Sequence, residues 1–269
     1  MDTDLYIQRL AEANPLREPM LRSVVQSLQL PRGSKGLDAG CGIGLQTSLL
    51  AEAIGAKGHV TGVDILPELL ADGAVTITKM GLSDRITFHE ADVNCLPFED
   101  HMFDWVWSAD CIGYPAGELL PLLQELMRVG NPGGEVILLG WSSQQLLPGY
   151  PLLEARLNAT CSGYIPFFNE QSPDLNFMRA SHWFRKAGFE QIKAQTFIGE
   201  IQGPLTSTVR TSLISLFEML WGNPQPETSP EDWRLYQQLC KPESPNFILD
   251  IPDYYGFFTY SMFKGKVPA

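Results

Sequence analysis

Residues 35–50, KGLDAGCGIGLQTSLL, decide the fold of this chain. The first of them, Gly36-Leu37-Asp38-Ala39, predict the end of a short buried strand, and Leu45–Ile54 predict a helix. Between these two elements lie three glycines at alternate positions: Gly40, Gly42 and Gly44. Such glycines let the main chain adopt positive φ angles and let a ligand approach it closely. Because the following helix directs unpaired N–H groups over the turn, the stretch predicts the nucleotide-type site of a doubly wound α/β sheet.

The spacing of the glycines separates two kinds of nucleotide site. A nicotinamide-dependent oxidoreductase would carry G-x-G-x-x-G, with an acidic residue about 20 positions later. Here the third glycine, Gly44, comes one position earlier, and Asp38 precedes the first glycine by two positions. A glycine run is also compatible with a plain flexible loop. The elements that follow must therefore decide between these alternatives.

Composition narrows the classes of function. The 269 residues suit one large domain or one domain with insertions, and 44% of them are hydrophobic. The formal net charge is −12, and the longest basic run is the pair Arg185-Lys186. Because binding to phosphates needs a basic surface, nucleic acid is not an expected partner, and an anionic membrane surface is disfavoured.

Cysteine usage and the first residues predict the compartment. The five cysteines are odd in number and form no C-x-x-C motif, which predicts reduced, mostly buried thiols. Met1 is followed by Asp2 and Asp4, which disfavours a secretory signal, and no long apolar run predicts a membrane span. We therefore expect a soluble, cytoplasmic protein.

A second strand, Gly58–Asp64, ends in an acidic residue. Asp64 would lie at the carboxyl edge of the sheet, where folds of this kind bind ligands. A carboxylate there can accept hydrogen bonds from both hydroxyls of a ribose. The alternative is that Asp64 caps the helix predicted over Pro67–Met80.

Two further strands and a helix complete this half of the chain. Arg85–His89 predicts the third strand and Phe103–Ser108 the fourth. Gly117–Val129 predicts a leucine-rich helix, and Glu135–Gly140 a fifth strand after a Pro-Gly-Gly turn.

Four motifs in this region resemble one family in the correct order. D-A-G-C-G-I-G at 38–44 resembles motif I of class I S-adenosylmethionine (SAM)-dependent methyltransferases, (D/E)-x-G-x-G-x-G. A-D-x-x-x-L-P-F at 91–98 and F-D-x-V-x-S at 103–108 also resemble the family, as does L-x-x-x-x-R-V-x-x-P-G-G-x-V-x-L from Leu123. The chain is identified by this resemblance as a member, nearest in style to the UbiE-like small-molecule group. The likeness spans about half of the chain and concerns the cofactor, not the methyl acceptor.

The resemblance implies a fold, a cofactor and a set of binding residues. The fold is a Rossmann-like, doubly wound and mostly parallel seven-stranded sheet with an antiparallel last strand. SAM is the cofactor and S-adenosylhomocysteine (SAH) the product, with no metal. The Asp92 carboxylate would accept the adenine amine, the Val93 N–H would face a ring nitrogen, and the 108–110 main chain would lie beside the methionine end. The implied cofactor-binding residues are Asp38, Gly40, Cys41, Gly42, Gly44, Gln46, Asp64, Ile65, Asp92, Val93 and Ser108.

The remaining segments predict a cap and a lid around this core. Residues 1–34 form an N-terminal helical cap, residues 35–198 and 253–266 the core, and insertions 141–175 and 199–252 an acceptor lid. The expected later elements are a helix from a cap at Asp174 to Ala187, a strand Phe189–Ile198, helices Leu205–Leu220 and Pro230–Leu239, and a strand Tyr254–Phe263. Helices Asp4–Ala13 and Glu18–Leu28 would form the cap, with Tyr6 or Arg17 reaching towards the pocket.

The lid segments are rich in aromatic residues: Trp141, Tyr150, Tyr164, Phe167, Phe168, Phe217, Trp221, Trp233, Tyr236 and Phe247. An aromatic lining suits an apolar or aromatic acceptor. The alternative is a small second core beneath the insertions. For a general base we consider Tyr114 and His182. Many relatives carry histidine where this chain has Ile112-Gly113-Tyr114, so this chain departs from the family pattern at that point. The scattered cysteines make arsenite a further candidate for the methyl acceptor.

The sequence thus predicts a SAM-dependent methyltransferase that transfers a methyl group to a small, apolar or aromatic metabolite. Transfer would be a direct in-line displacement, helped mainly by positioning and exclusion of water. The alternatives are a non-catalytic SAM-binding protein and a nicotinamide-dependent oxidoreductase. The expected partner is the small-molecule acceptor, and the expected assembly is a monomer or a homodimer.

Overall fold

A computed structural model describes residues 3–111, 119–160, 176–222 and 225–269. The strands are β1 (Lys35–Ala39), β2 (His59–Asp64), β3 (Ile86–Glu90), β4 (Phe103–Ala109), β5 (Gly130–Gln145), β6 (Glu190–Gln202) and β7 (Tyr255–Lys266). The helices are α1 (Thr3–Leu28), α2 (Leu45–Ile54), α3 (Pro67–Lys79), α4 (Leu119–Val129), α5 (Pro151–Asn158), α6 (Ala180–Ala187), α7 (Ser207–Trp221) and α8 (Pro230–Cys240). Short 3₁₀ turns lie at Phe177–Arg179, Gln225–Glu227 and Ile248–Asp250.

The strands form one seven-stranded sheet in the order β3-β2-β1-β4-β5-β7-β6. β1 lies between β2 and β4 and is parallel to both, and β4 is parallel to β5. β7 runs antiparallel to its neighbours, as the pairing of Glu135 with Lys264 and of Ser142 with Thr259 reflects. The predicted mixed, Rossmann-like sheet is therefore confirmed.

The central strands are apolar because helices cover both faces of the sheet. Leu37, Val106 and Ile137 each have no exposed surface. The carboxyl ends of β1, β2 and β4 meet at the same edge because these strands are parallel. Residues that follow those three strands are therefore brought together, and they include most of the predicted cofactor-binding set.

The chain divides into two compact units. One unit comprises the described residues of 1–20, 142–168 and 198–259, and the other those of 21–141, 169–197 and 260–269. The first gathers most of the predicted cap and lid, and the second holds most of the sheet. The division falls inside α1, not at residue 34.

The N-terminal segment is one helix, so the prediction of two separate helices was wrong. Pro15 and Pro19 lie inside α1. A proline removes one helical hydrogen bond, but both prolines are exposed, so water can satisfy the carbonyls that they leave free. Contacts with α7 also hold this helix: the Glu12 carboxylate accepts the Ser215 hydroxyl, and the Glu12 carbonyl accepts Ser212 Oγ at 2.7 Å.

Several elements differ from the predictions. β5 extends through Gln145, well past Gly140, because β7 pairs along its length. The insertion after β5 contains the unpredicted helix α5, whose buried Glu154 accepts the N–H groups of Leu146 and Leu147 at 2.7 and 3.1 Å. The turn before α6 is capped by Asn176, whose side chain accepts the Met178 N–H, and Asp174 lies outside the described residues.

None of the helices in residues 3–111, 119–160, 176–222 and 225–269 combines the length and the hydropathy that crossing a bilayer would need.

Candidate active site

The glycine turn joins β1 to α2 in a left-handed conformation. The φ angles of Gly40, Gly42 and Gly44 are 82°, 54° and 73°. The N–H groups of Gly40 and Cys41 both donate to the Val63 carbonyl at 2.8 Å, which ties the turn to the end of β2. Residues with a Cβ rarely adopt these angles, so the sequence requires glycine here.

Two of the glycines are needed for packing, and the third faces open space. A Cβ on Gly40 would lie 2.3 Å from Cys111 Sγ, and one on Gly44 would lie 2.6 Å from the Phe88 ring. A Cβ on Gly42 would meet no atom within 4 Å. The main chain at Gly42 therefore borders a space that a ligand can enter.

Asp64 ends β2 with its carboxylate against the same turn. Its Oδ2 accepts the Gly42 N–H at 2.9 Å, and its Oδ1 accepts the Leu66 N–H at 3.1 Å. Helix α3 has Leu66 as its N-cap and no side-chain cap. The helix-cap alternative for Asp64 is therefore not what the structure contains. Each carboxylate oxygen keeps a second lone pair that can accept a ligand hydroxyl.

Asp38 lies beneath the turn. Only 2% of its surface is exposed, and its Oδ2 accepts the Thr47 hydroxyl at 2.6 Å. Burial raises the pKa of Asp38 to about 7, and the nearby Asp64 carboxylate acts in the same direction. A cationic group bound close to these two acids would be stabilised by them.

Gln46 and Ser108 tie neighbouring elements together. Gln46 Oε1 accepts the Trp107 indole N–H at 3.1 Å, and Ser108 Oγ donates to the Ala39 carbonyl at 2.7 Å. Their side chains thus hold β4 against the glycine turn. A ligand contact from Gln46 or Ser108 would therefore use atoms other than Gln46 Oε1 and the Ser108 hydroxyl hydrogen.

A second group of predicted residues follows β2 and β3. The Asp92 Oδ1 accepts both the main-chain and the side-chain N–H of Asn94 at 2.8 Å. The Asp64 carbonyl accepts the Ala91 N–H at 3.1 Å, which joins the two strand ends. Ile65, which follows β2 directly, has a side chain that is 60% exposed. This arrangement offers an apolar surface and a carboxylate to a flat ring.

The cysteines near the turn are packing residues. Burial raises the pKa of the Cys41 thiol, and it raises that of Cys111 to about 12. Both are therefore protonated at neutral pH and poor thiolate ligands. Cys95 is exposed and Cys240 is buried. Cys161 lies outside the described residues, among which no cluster of three metal-ligating side chains occurs.

Asp110 is a site residue that sequence reasoning missed as a side chain. It follows β4 with a φ angle of 51°, which a non-glycine residue seldom adopts. Its Oδ1 accepts the Trp141 N–H at 3.0 Å, and its Oδ2 accepts the Tyr260 hydroxyl at 2.7 Å. The clue in the sequence was an acid directly after a buried strand, the same clue that identified Asp64.

The described residues do not place either of the two suggested general bases at the glycine turn. Tyr114 lies outside the described residues. His182 is exposed on α6, a helix that packs against α4 and the 177–179 turn. No contact among the described residues joins His182 to the glycine turn, so its catalytic role stays a prediction.

The other unit has its own aromatic core and a cavity. Phe217 stacks on Trp221 and Trp233 on Tyr236, at centroid distances of 5.3 and 5.5 Å. Phe217, Trp221 and Tyr236 are buried, so these three form the second core that was the alternative to a pocket lining. The cavity has a volume of about 560 Å³, and its lining includes Tyr150, Phe247, Leu235, Leu239 and Ile248 together with the polar Gln238, Asn246 and Asp250. Tyr164, Phe167 and Phe168 lie outside the described residues.

The residues around the turn fit SAM. The open space at Gly42 admits close approach of a ligand, and Asp64 supplies acceptors for ribose hydroxyls. Asp38 adds negative charge for a cationic ligand, and Asp92 with Ile65 suits an adenine ring. SAM, when bound, supplies an activated methyl group.

The sequence matches known proteins across this region. Residues 37–134 match a family model described as a methyltransferase domain. The demethylmenaquinone methyltransferase of Staphylococcus epidermidis is 30% identical over 198 residues, which cover 67% of this chain and 78% of that protein. That of Bacillus cytotoxicus is 33% identical over 129 residues, covering 47% and 52%.

Solved structures share the fold. A SAM-dependent methyltransferase from Aquifex aeolicus has a TM-score of 0.53 and 18% identity, covering 96% of each chain. The cyclase SpnF has a TM-score of 0.57 and 19% identity, covering 93% of this chain and 81% of its own. These likenesses concern the fold alone. The sequence matches and the fitted turn favour methyl transfer over both alternatives: the chain belongs to the class I SAM-dependent methyltransferases and uses SAM to methylate a small molecule.

Proposed function

We propose that the chain methylates an uncharged, apolar or aromatic metabolite of the quinone class in its reduced, hydroquinone form, which is nucleophilic and releases one proton when it is methylated. The name of the staphylococcal relative, a demethylmenaquinone methyltransferase, supports this class. The cavity of about 560 Å³ also supports it, since pockets of this size hold drug-sized ligands and this one has Leu235, Leu239 and Ile248 in its lining.

The proposed cofactor contacts are divided among three strand ends. Asp64 accepts the ribose hydroxyls, and the Gly40–Gly44 turn approaches the rest of the nucleoside. Asp92 and the Val93 N–H take the adenine edge, with Ile65 against the ring face. Asp38 acts on the cationic end of the cofactor. The observation that carries this assignment is the hydrogen bond between Asp64 and the main chain of Gly42.

No general base among the described residues is required by this proposal. If the acceptor is already nucleophilic, positioning and exclusion of water supply most of the rate enhancement. Tyr114 and His182 remain candidates for an acceptor that must lose a proton. Exchanging each for phenylalanine or alanine and measuring the pH dependence of kcat would test them.

The setting of the enzyme is also proposed. A cytoplasmic location is supported by the four described cysteines, which are all free. The absence of nucleic-acid partners is supported by the net charge of −12. The assembly is proposed to be a monomer or a homodimer, which sedimentation would distinguish.

The first experiment is a calorimetric titration with SAH, with NADH as the control ligand. We expect binding near micromolar, about −8 kcal/mol, and no response to NADH. Methyl transfer from labelled SAM is then measured to demethylmenaquinone that has been reduced to its hydroquinone, and to phosphoethanolamine. We expect transfer to the hydroquinone alone. Binding of SAH without transfer to any acceptor would contradict the proposal.

A variant in the cavity tests the acceptor class. Leu235 is partly exposed, so Leu235→Glu should fold. We expect it to raise the KM for the quinone at least about tenfold, because a carboxylate is desolvated by an apolar ligand. Its Kd for SAH should equal that of the parent protein. An unchanged KM would remove the cavity from the proposal.

A further inference from the structure

Arg128, in the last turn of α4, uses its whole guanidinium to hold one loop. Its Nε and Nη2 donate to the two carboxylate oxygens of Glu125 at 2.8 and 2.7 Å. Its Nη1 donates to the Phe98 carbonyl and to Asp100 Oδ1, both at 2.8 Å. Its Nη2 also donates to the Leu96 carbonyl at 3.2 Å. A rigid planar fork can make such a set, and a lysine cannot.

Glu125 completes the clamp from the same helix. Its Oε1 accepts the Leu96 N–H at 2.7 Å, so both main-chain groups of Leu96 are fixed to α4. Hydrogen bonds from Arg128 are the main reason why the pKa of Glu125 is lowered. Leu96 is only 4% exposed, and charge-assisted bonds there are stronger than those of an exposed ion pair.

The clamped residues continue directly from Asp92. The Asp92 carbonyl accepts the Cys95 N–H at 3.0 Å, and its Oδ1 accepts both N–H groups of Asn94. This turn links Asp92 to Leu96 without a flexible joint. Both of these hydrogen bonds from Asn94 go to Oδ1 of Asp92, so Oδ2 is the oxygen that can accept a hydrogen bond from a ligand amine.

We propose that Arg128 is a positioning residue for the adenine end of the cofactor. It holds the 96–100 loop so that Asp92 presents one carboxylate oxygen to the exocyclic amine. This inference rests on the proposed assignment of Asp92. It goes beyond that assignment because Arg128 is not one of the proposed ligand contacts and acts through Leu96 and Glu125.

The test compares two ligands that differ at one position of the base. S-Inosylhomocysteine carries a carbonyl oxygen where SAH carries the exocyclic amine. In the parent protein we expect SAH to bind at least about tenfold more tightly, because a charge-assisted hydrogen bond is lost in the analogue. In Arg128→Met we expect this ratio to fall to about threefold or less. General loosening of the fold would weaken both ligands equally and leave the ratio unchanged.

Two further variants keep the test sharp. Arg22→Met removes an arginine that pairs with Glu52 at 2.6 Å, and its ratio should equal that of the parent. Glu125→Gln keeps an acceptor for the Leu96 N–H and weakens the bonds to Arg128. The ratio of the affinities for SAH and for the inosine analogue should therefore fall in this variant too, and it serves as the test if Arg128→Met does not fold. Hydrogen exchange at the amides of residues 94–96 should also be faster in Arg128→Met and Glu125→Gln than in the parent protein.

The outcomes separate this inference from the function on which it rests. A parent protein that does not bind SAH would overturn the proposed site and the inference together. A parent protein that binds SAH without preferring it over the inosine analogue would overturn the role of Asp92. A preference that persists in both Arg128→Met and Glu125→Gln would overturn the positioning role of Arg128 alone.

Discussion

The Asp64 carboxylate accepts the main-chain N–H of Gly42 at 2.9 Å, so the acid that ends β2 orients the glycine turn that follows β1. A second bond to the Leu66 N–H fixes the carboxylate from the other side. Asp64 therefore has two roles, since it shapes the turn and offers its remaining lone pairs to a ribose.

Asp64→Ala should leave the protein folded and weaken SAH binding by on the order of 100-fold or more, because two charge-assisted hydrogen bonds are lost. Calorimetry measures the affinity, and circular dichroism checks the fold. Asp84→Ala, at an exposed turn, is the control and should bind as the parent does. Unchanged affinity in Asp64→Ala would show that the ribose is held elsewhere.

Gly42→Ala should fold but bind SAH poorly. The added Cβ meets no protein atom within 4 Å, so the variant has only the strain of a φ angle of 54°, about 1 kcal/mol. In the complex the methyl group would occupy the space of the ligand. Gly81→Ala is a matched control, because Gly81 has a φ angle of 69° and equally open space. Both should lose similar thermal stability, and only Gly42→Ala should lose affinity.

Asp38 should make stability depend on pH. Burial raises the pKa of Asp38 from 3.8 to about 7. Between these values the folded chain binds more protons than the unfolded chain, so its contribution to stability falls as pH rises. Asp38→Asn removes this titration and keeps an acceptor for Thr47.

We therefore expect Asp38→Asn to lose less unfolding free energy than the parent between about pH 5 and about pH 8, by a few kcal/mol. Urea unfolding at both pH values measures the difference. Equal losses in the two proteins would mean that the parent carboxyl is not titrating in this range.

Tyr260→Phe should destabilise the protein by about 1–3 kcal/mol, because the Asp110 carboxylate loses the hydrogen bond that the hydroxyl of the buried Tyr260 donates. Tyr255→Phe is its control, since that hydroxyl bonds Glu200 at an exposed position. The control should change the unfolding free energy by less than about 0.5 kcal/mol. Similar losses in both variants would remove Asp110 as a special position.

The half of the chain with strong local signals could be predicted from its sequence. Short buried strands that end in an acid identified β1 and β2, and the Pro-Gly-Gly turn marked the approach to β5. These features depend on neighbouring residues, which a sequence displays directly. Asp92 and Asp64 were predicted as site residues for the same reason, because each lies at or just beyond the end of a strand.

Features that depend on distant contacts were not predictable. Pro15 and Pro19 suggested a break, but tertiary contacts such as that of Glu12 with Ser215 hold α1 as one helix. The length of β5 depends on β7, which comes over a hundred positions later in the chain. The role of Asp110 depends on Tyr260, which lies 150 positions later in the chain and whose hydroxyl donates to the Asp110 carboxylate.

The position of β7 between β5 and β6 has a consequence for biosynthesis. In the order β4-β5-β7-β6, β6 is joined to the sheet only through β7. A ribosome releases residues 190–202 before residues 255–266, so β6 must wait unpaired while the intervening helices emerge. The nascent chain can assemble the five strands around the glycine turn early. Its last strand then acts as the closing step, and premature termination would leave two open edges prone to aggregation.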